Sequence, residues 1–373
     1  MENKAMKRLL IILIIFLPAI IVGQEVDVSG PEKDTESVAA KSNLSGLIDA
    51  EQFSVQSADG LKKSYVDLKR KSINKYSKEI SEEEQKQLNS IVNDLESMHS
   101  ESYEYHYVAY LNSNQNPKAF HHLEKAYEIY PDNVELYDDF VAHYELTNNR
   151  QGKNQFCKKL AESNTIAQGV MDYNYNVLMS LEPNAILFTN GSDDTYPLWI
   201  WQEIHNKRTD VTILNLDLIQ NLEYQKEKLK SLNIYPIRSL EPVGIVKEVV
   251  ENNSNRPINI ALTINPKAMI DLKSKLYLTG LVLKYSEKAI DNLAMLKNNW
   301  EFSFNIESLN QPVTNTKTKK LNNNYVLPLL VLSRYYSDSG KTTEAKGSET
   351  LALKLAAEGG KEIEVKKYIE GKK

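Results

Sequence analysis

The chain has 373 residues, a formal charge of −5, a single cysteine and 41% hydrophobic residues. That length can hold two or three domains, and the composition is that of a folded protein. One cysteine excludes an internal disulfide and a cysteine-based metal cage, and the lack of Lys/Arg blocks argues against nucleic acid as a partner. The first element is a leader. Lys4, Lys7 and Arg8 precede an apolar run from Leu9 to Val22, broken only by Pro18. Charge followed by an apolar stretch is the order of a secretion signal. The run is shorter than the roughly 20 residues a spanning helix needs. Cleavage near Gly23 is therefore expected, with 1–23 as signal peptide and an uncleaved anchor as the alternative. Loss of the leader's three bases and one acid takes the charge from −5 to −7. No cysteine follows the run, which speaks against a lipoprotein. No later segment reads as a membrane span. Residues 24–45, polar and with Gly30 and Pro31, read as a flexible lead.

Residues 46–165 read as helical. Ser81 to Glu84 has the form of a capping box, and Leu88, Ile91, Val92 and Leu95 follow at helical spacing. A period of 34 then separates Tyr103 from Tyr137. Tyr103, Tyr107 and Tyr110 share one helix face. Ala119, Leu123 and Ala126 mark the next helix, and Pro131 ends it. Tyr137, Phe140, Val141 and Tyr144 restart the pattern. These positions resemble the tetratricopeptide repeat, in which small residues let paired helices approach closely. Lys153 departs from it by standing at a small position. Cys157, beside Phe156 and Leu160 on an apolar stripe, reads as a buried core thiol. Near the end, Leu329, Leu332, Tyr336, Ala345 and Ala352 fit the same spacing, with Gly340 in the turn and Glu349 where a bulky residue belongs. Residues 325–373 are thus expected to form a helical hairpin. Residues 309–324, polar and rich in Thr and Lys, read as a linker loop.

Between these helices, residues 166–308 alternate strands with helices. Apolar runs at Ala185–Thr189, Val211–Leu216 and Ile258–Thr263 predict strands. Tyr196–Asn206 and Leu222–Ser231 predict helices, and helix is expected to resume over Leu272–Lys284. Strands separated by helices argue for a small, mostly parallel sheet covered on both faces. The expected fold class is therefore mixed α and α/β, with tetratricopeptide-like helical hairpins flanking a small, mostly parallel α/β sheet domain.

The stretches LEPNAILFTNGSDDTYPLWIWQE, RTDVTILNLDLI, RPINIALT and YLTGLVLK carry a second resemblance. They are similar to the soluble C-terminal region of a family of bacterial multi-spanning membrane proteins of unknown function, related to transmembrane protein O-mannosyltransferases. About a third of the chain is covered. Asn190, Gly191, Asp194, Thr195, Pro197, Leu198 and Trp199 match the family pattern, whereas Ser192 and Asp193 stand where the family has Asp and Asn. The resemblance implies an α/β region often followed by tetratricopeptide repeats. It does not carry glycosyl transfer over, because the membrane bundle in which that chemistry takes place has no counterpart in this sequence.

The turn Asn190-Gly191-Ser192-Asp193-Asp194-Thr195 is the first candidate site. It leaves the carboxyl end of a buried parallel strand, where α/β sheets bind ligands. Asn190, Ser192, Asp193, Asp194 and Thr195, with Asn215 and Asp217 at the end of the next strand, could hold a cation or bind sugar or peptide hydroxyls. The structural reading of the same residues is favoured. Gly191 permits the bend, Asp194 or Thr195 caps the helix, and Pro197 sits in its first turn. Tyr103, Tyr107, Tyr110, Tyr137, Tyr144, Trp199 and Trp201 are candidates for an interaction surface, with packing ranked ahead of contact for the tyrosines. His99, His106, His121, His122, His143 and His205 show no metal spacing with carboxylates, and His121 and His122, adjacent on a helix, should diverge. No metal, no cofactor and no nucleotide fingerprint is expected. The favoured function is a non-catalytic, exported module for protein–protein interaction or assembly. It would lie in the periplasm or at the cell surface, with a protein partner in the cell envelope such as an outer-membrane complex. The alternative is a glycan-binding or glycan-processing protein using the crevice after the first strand.

Overall fold

A computed structural model describes residues 57–73, 79–114, 116–234, 237–253 and 255–371. The expected signal peptide and flexible lead lie outside the described residues. The fold is of the mixed α and α/β class, and the described chain divides into two compact units between Phe156 and Cys157.

The first unit is helical. Its helices are α1 (Ala58–Ser72), α2 (Glu82–His99), α3 (Tyr103–Asn112), α4 (Phe120–Ile129), α5 (Tyr137–Leu146) and the start of α6 (Arg150–Glu162). The capping box is formed: the Ser81 hydroxyl accepts from the Glu84 N–H, and the Glu84 carboxylate accepts from the Ser81 N–H, both at 3.3 Å. Leu61, Tyr65, Leu88, Leu95 and Val108 make one core cluster. A second is aromatic, with the Phe140 and Phe156 rings stacked at 4.1 Å. Tyr103, Tyr107, Tyr110 and Tyr137 lie inside this unit, each at most 7% exposed. They are packing residues, which removes them as a contact surface, and Tyr144 is half-buried against Phe140 and Phe156. The Tyr103 hydroxyl donates to the Glu135 carboxylate at 3.0 Å, and that of Tyr107 to the Asp139 carboxylate at 3.0 Å. These acceptors explain why tyrosine rather than phenylalanine fills the seam. Lys153 does not find the small site its position suggested. Its ammonium meets the Glu145 carboxylate at 2.6 Å, with both side chains under 10% exposed.

The second unit contains the rest of α6, with Cys157 buried, and α7 (Gln168–Met179). Then come β1 (Ile186–Thr189), α8 (Tyr196–Glu203), β2 (Thr212–Asn215), α9 (Leu222–Ser231), α10 (Pro242–Asn252) and β3 (Ile258–Ala261). A 3-10 segment over Pro266–Lys275 leads into β4 (Leu276–Leu278) and β5 (Val282–Tyr285). The chain closes with α11 (Asn292–Asn298), α12 (Thr316–Asn322), α13 (Val326–Asp338), α14 (Thr342–Glu358) and α15 (Glu362–Glu370). The sheet order is β2-β1-β3-β5-β4. β1 pairs parallel with β2 (Ile186 opposite Thr212) and with β3 (Ile186 opposite Ile258). β5 pairs antiparallel with β3 and with β4. The sheet is therefore mixed, with parallel strands confined to one side.

Two local readings differ from expectation. Leu272–Lys284 is not one helix: Leu272–Lys275 ends the 3-10 segment, and Leu276–Leu278 forms a β-hairpin with Val282–Tyr285, because a short apolar run carries no period that separates helix from strand. Its Gly280 sits against the Ser180 hydroxyl, which accepts the Leu281 N–H at 3.0 Å, so a side chain there would collide. Residues 309–324 are not a loop throughout. Asn315 caps α12, and Thr318, Leu321 and Asn322 are buried. The C-terminal hairpin of α13 and α14 falls in the same unit as the sheet, as a flanking hairpin would.

Asparagine ends many of these helices. Asn114, Asn148, Asn164, Asn206 and Asn233 all have φ between 52° and 57° just past a helix, a left-handed position that glycine usually takes. At the entry edge of the parallel strands two arginines act as clamps. Arg208 donates to the carbonyls of Leu178 (2.9 Å), in the last turn of α7, and of Leu181 (2.7 Å) and Glu182 (2.8 Å) just beyond it, and pairs with Asp210 at 3.0 Å. Arg256 donates to the Asn184 carbonyl at 2.7 Å and to the Thr212 hydroxyl at 3.0 Å.

Two outcomes test these assignments. Lys153→Ala should destabilise the protein by about 3 kcal/mol, because it strips a partner from a buried carboxylate. Joint replacement, Lys153→Met with Glu145→Leu, should recover most of that loss in urea unfolding. Equal stability of the single variant and the parent would refute the pairing. Arg208→Lys keeps the charge and loses the planar fork, so a loss of about 2 kcal/mol is expected in thermal unfolding.

Candidate functional site

The bend after β1 is built by neighbours on three strands and one helix. β1 ends at Thr189, β2 at Asn215, and Thr263 follows β3, so each apolar strand delivers one polar residue to the same edge. Gly191 at φ 82° lets the backbone reverse. The Ser192 carbonyl then accepts the N–H groups of Thr195 (3.1 Å) and Tyr196 (3.0 Å), which starts α8. Neither Asp194 nor Thr195 caps that helix through its side chain, contrary to the sequence reading. Both side chains are turned inward instead.

Asp194 is 2% exposed. Its carboxylate accepts the Asn190 N–H at 2.9 and 3.1 Å and the Thr263 hydroxyl. Burial pushes the Asp194 carboxyl up to about 7, against hydrogen bonds from Thr263 and Asn190 that pull it down and the Asp193 charge that adds to the rise. The Thr195 hydroxyl, fully buried, meets the Thr189 hydroxyl at 2.8 Å and the Asn215 side-chain amide at 2.9 Å. The Asn215 amide also reaches the Gly191 carbonyl at 3.2 Å, while its oxygen accepts the N–H groups of Asp217 (2.8 Å) and Leu218 (3.0 Å). Asn174 on α7 donates to the Asp193 carbonyl at 2.8 Å. Asp193 points away from Asp194 and pairs with Lys317 on α12 at 3.0 Å, with both side chains 36% exposed. The two acids therefore do not converge on one point, and the arrangement is no general acid–base pair.

Of the predicted residues, the structure brings Asn190, Asp194, Thr195 and Asn215 into one closed network. It leaves Asp193 on the rim, and half-buried Ser192 and Asp217 beside it. Thr189, Thr263, Asn174 and Lys317 belong to the network and escaped the sequence reading. The recurrence of a polar residue at the end of every apolar strand was the available signal for two of them; nothing nearby announced Lys317. Trp199 is 1% exposed and is core. Trp201 is half-buried: its indole N–H donates to the Met171 carbonyl at 2.9 Å, and its ring lies between Tyr175 (5.2 Å) and His205 (4.7 Å). Neither presents a free platform. A shallow cavity of about 600 Å³ lies elsewhere, against α14, lined by residues including Asn310, Thr342, Lys346, Thr350 and Lys354.

A family model described as TMEM260-associated domain 2 matches residues 170–236. This covers most of α7, then β1, the bend, α8, β2 and α9, the part of the chain in which the network is concentrated. The similarity extends over a small share of the 373 residues. Comparison with curated proteins and with solved structures returns no match.

The raised Asp194 carboxyl sets a pH dependence. In the unfolded chain such a group ionises near pH 4. Below that both states hold the proton and nothing is lost. Between about pH 4 and pH 7 the unfolded chain releases it first, so stability falls as pH rises, by up to about 1.4 kcal/mol per unit. Above about 7 the loss is complete and constant. Asp194→Asn removes this term. Urea unfolding of the two proteins from pH 4.5 to 7.5 should therefore show a stability difference that shifts toward the variant as pH rises. Parallel profiles would refute the assignment.

Proposed function

We propose that this chain is an exported, non-catalytic protein that serves as an interaction or assembly module of the cell envelope, in the periplasm or at the cell surface. One observation carries the non-catalytic reading: the carboxylate best placed for chemistry, Asp194, is enclosed and bonded to Asn190 and Thr263. A group so committed stabilises a fold and has no room for a substrate. The leader pattern of residues 1–23 supports export. Paired helices, which resemble tetratricopeptide repeats in their spacing, support a docking role, since such hairpins bury little of their outer faces. With the seam tyrosines buried, contact falls to exposed apolar side chains such as Tyr130 (55% exposed) in the first unit and Phe302 (77%) in the second.

A second reading has support of its own. Residues 170–236 are similar to TMEM260-associated domain 2, and the same stretch resembles the soluble region of bacterial membrane proteins related to O-mannosyltransferases. On that reading the chain binds or processes glycans at the rim formed by Asp193, Ser192 and Asp217.

The two separate in one experiment. A photo-reactive residue placed at position 130 or 302 of the full chain should give a discrete protein adduct in intact cells, with none from exposed position 226. Asp194→Ala should lower the melting temperature by several degrees, because it orphans buried donors at about 1–3 kcal/mol each. Absence of adducts, together with saturable oligosaccharide binding that Asp193→Ala abolishes at unchanged melting temperature, would replace the first reading with the second.

A further inference from the structure

The six histidines show no metal spacing along the sequence, yet helix packing brings some of them together. His121 and His122 do not diverge as adjacency on a helix suggested; their ring centroids lie 4.2 Å apart. His106 on α3 and His122 on α4 face each other, Nδ1 to Nδ1, at 3.0 Å, with ring planes tilted by 42°. Tyr105 packs against both rings, at 5.0 and 5.6 Å, and its hydroxyl is held by the Glu96 carboxylate at 3.2 Å. Both imidazoles are half-buried, and neither is sealed from solvent.

We propose that His106 and His122 form a two-histidine chelate, on the hairpin of α3 and α4, for a divalent transition-metal ion that imidazole suits, copper(II) being the tightest bound of the series. Imidazole nitrogens bind such ions at roughly 2.0–2.1 Å. Two of them at a right angle lie about 2.9 Å apart, and at the tetrahedral angle about 3.4 Å. The rings hold their Nδ1 atoms at 3.0 Å as a hydrogen-bonded pair, so a small ring movement reaches either separation. Among the described residues no group of three or more His, Cys, Asp or Glu forms a cage. The protein therefore supplies two nitrogens, and water or a ligand from solution supplies the rest.

The protonation states suit this chemistry. Burial lowers the pKa of His106 and of His122 below the ordinary value, with neighbouring His121 adding to the effect on His122. Both rings are then neutral at neutral pH, the form that binds metal. Without metal the contact is a hydrogen bond, in which one ring donates its Nδ1–H to the other's lone pair. On chelation the donor ring gives up that proton to solvent and takes one at Nε2. Both Nδ1 lone pairs are freed, with no net change in charge on the rings. The field is favourable: Glu101 and Glu128 act on His106 and Glu96 on His122, opposed by Lys125. Lys125 is itself paired with Glu128 at 2.7 Å. His121, whose Nδ1 lies 3.2 Å from the Lys118 carbonyl, is thereby fixed in the tautomer that leaves Nε2 open.

The test is a titration of the full chain with copper(II) sulfate in a weakly coordinating buffer, followed by calorimetry and visible absorption. One saturable equivalent is expected in the parent. His106→Gln and His122→Gln should each weaken it at least 10-fold, the range typical for loss of a supporting group, and His205→Gln should leave it unchanged. Circular dichroism verifies that each variant is folded. In the parent alone, copper should protect His106 and His122 from carbethoxylation while exposed His205 still reacts, which needs no variant. Undiminished binding in the double variant, no saturable binding in the parent, or carbethoxylation of both histidines at the same rate with and without copper would each overturn the proposal.

Discussion

The second unit depends on a buried acid that holds three separated stretches of backbone. Asp194 takes the Asn190 N–H on one side and the Thr263 hydroxyl on the other. It so fixes the exit of β1, the entry of α8 and the end of β3 in one place. An uncompensated carboxyl this deep would cost several kcal/mol. Two devices reduce the cost: donors aimed at its oxygens, and a raised proton affinity that keeps it neutral over much of the acidic range. The central strand β1, paired on both sides, is where a misplaced exit would do most harm. β1 is buried on both faces, so a slip of one residue would exchange them and carry Thr189 away from its partners.

The opposite edge of the same strands is held by another kind of chemistry. There the chain enters rather than leaves, and carbonyls rather than N–H groups need partners. Arg208 and Arg256, which present only donors, meet that need at the carbonyls of Leu178, Leu181, Glu182 and Asn184. Helices end at this edge and begin at the other, and a helix leaves its last carbonyls and its first N–H groups without partners inside it. The segments R-T-D-V and R-P thus have a structural use that does not require a ligand. The same is true of Asn176, whose side chain exchanges two hydrogen bonds with the backbone of Asn305, at 2.7 and 2.8 Å.

Where the sequence was readable, a local period or a short-range bond made it so. The βαβ unit of β1, α8 and β2 is announced by two apolar runs around a helix that opens on Pro197. The capping box of Ser81 and Glu84 closes over three residues and needs no tertiary partner. The C-terminal hairpin turns at Gly340 as its spacing implied. What failed to show were pairings set by distant chain. Gly280 marks a close approach to Ser180, a hundred residues away, so the β4–β5 turn looked like the middle of a helix. The loop containing α12 looked polar because its lysines and threonines, the lysines half-buried here, outnumber its apolar residues, while Thr318 packs close to Gly169 on α7. Lys317 and Asp193 find each other across 124 residues. The tyrosines were assigned to the right helices with packing ranked ahead of contact, and Tyr103, Tyr107, Tyr110 and Tyr137 are buried. Acceptors such as Glu135 and Asp139, brought in from the following helices, hold the hydroxyls of Tyr103 and Tyr107 inside the unit.

These placements bear on function through a single contrast. A ligand site in a parallel sheet works because the strand ends leave polar groups unpaired at a crevice, and those groups are satisfied only when the ligand arrives. Here the strand-end groups of Thr189, Asn190, Asp194, Thr195 and Asn215 are satisfied by one another and by Thr263. A substrate would have to break a bond for each one it made, and the exchange would gain little. The His106–His122 contact stands in the other situation. It is reachable by solvent and held by one hydrogen bond between two groups that each have a second productive state. Polar groups that already hold each other build a fold, and groups that can exchange partners at no net cost can bind. By that criterion the His106–His122 contact is open to exchange in a way that the closed network at the strand ends is not.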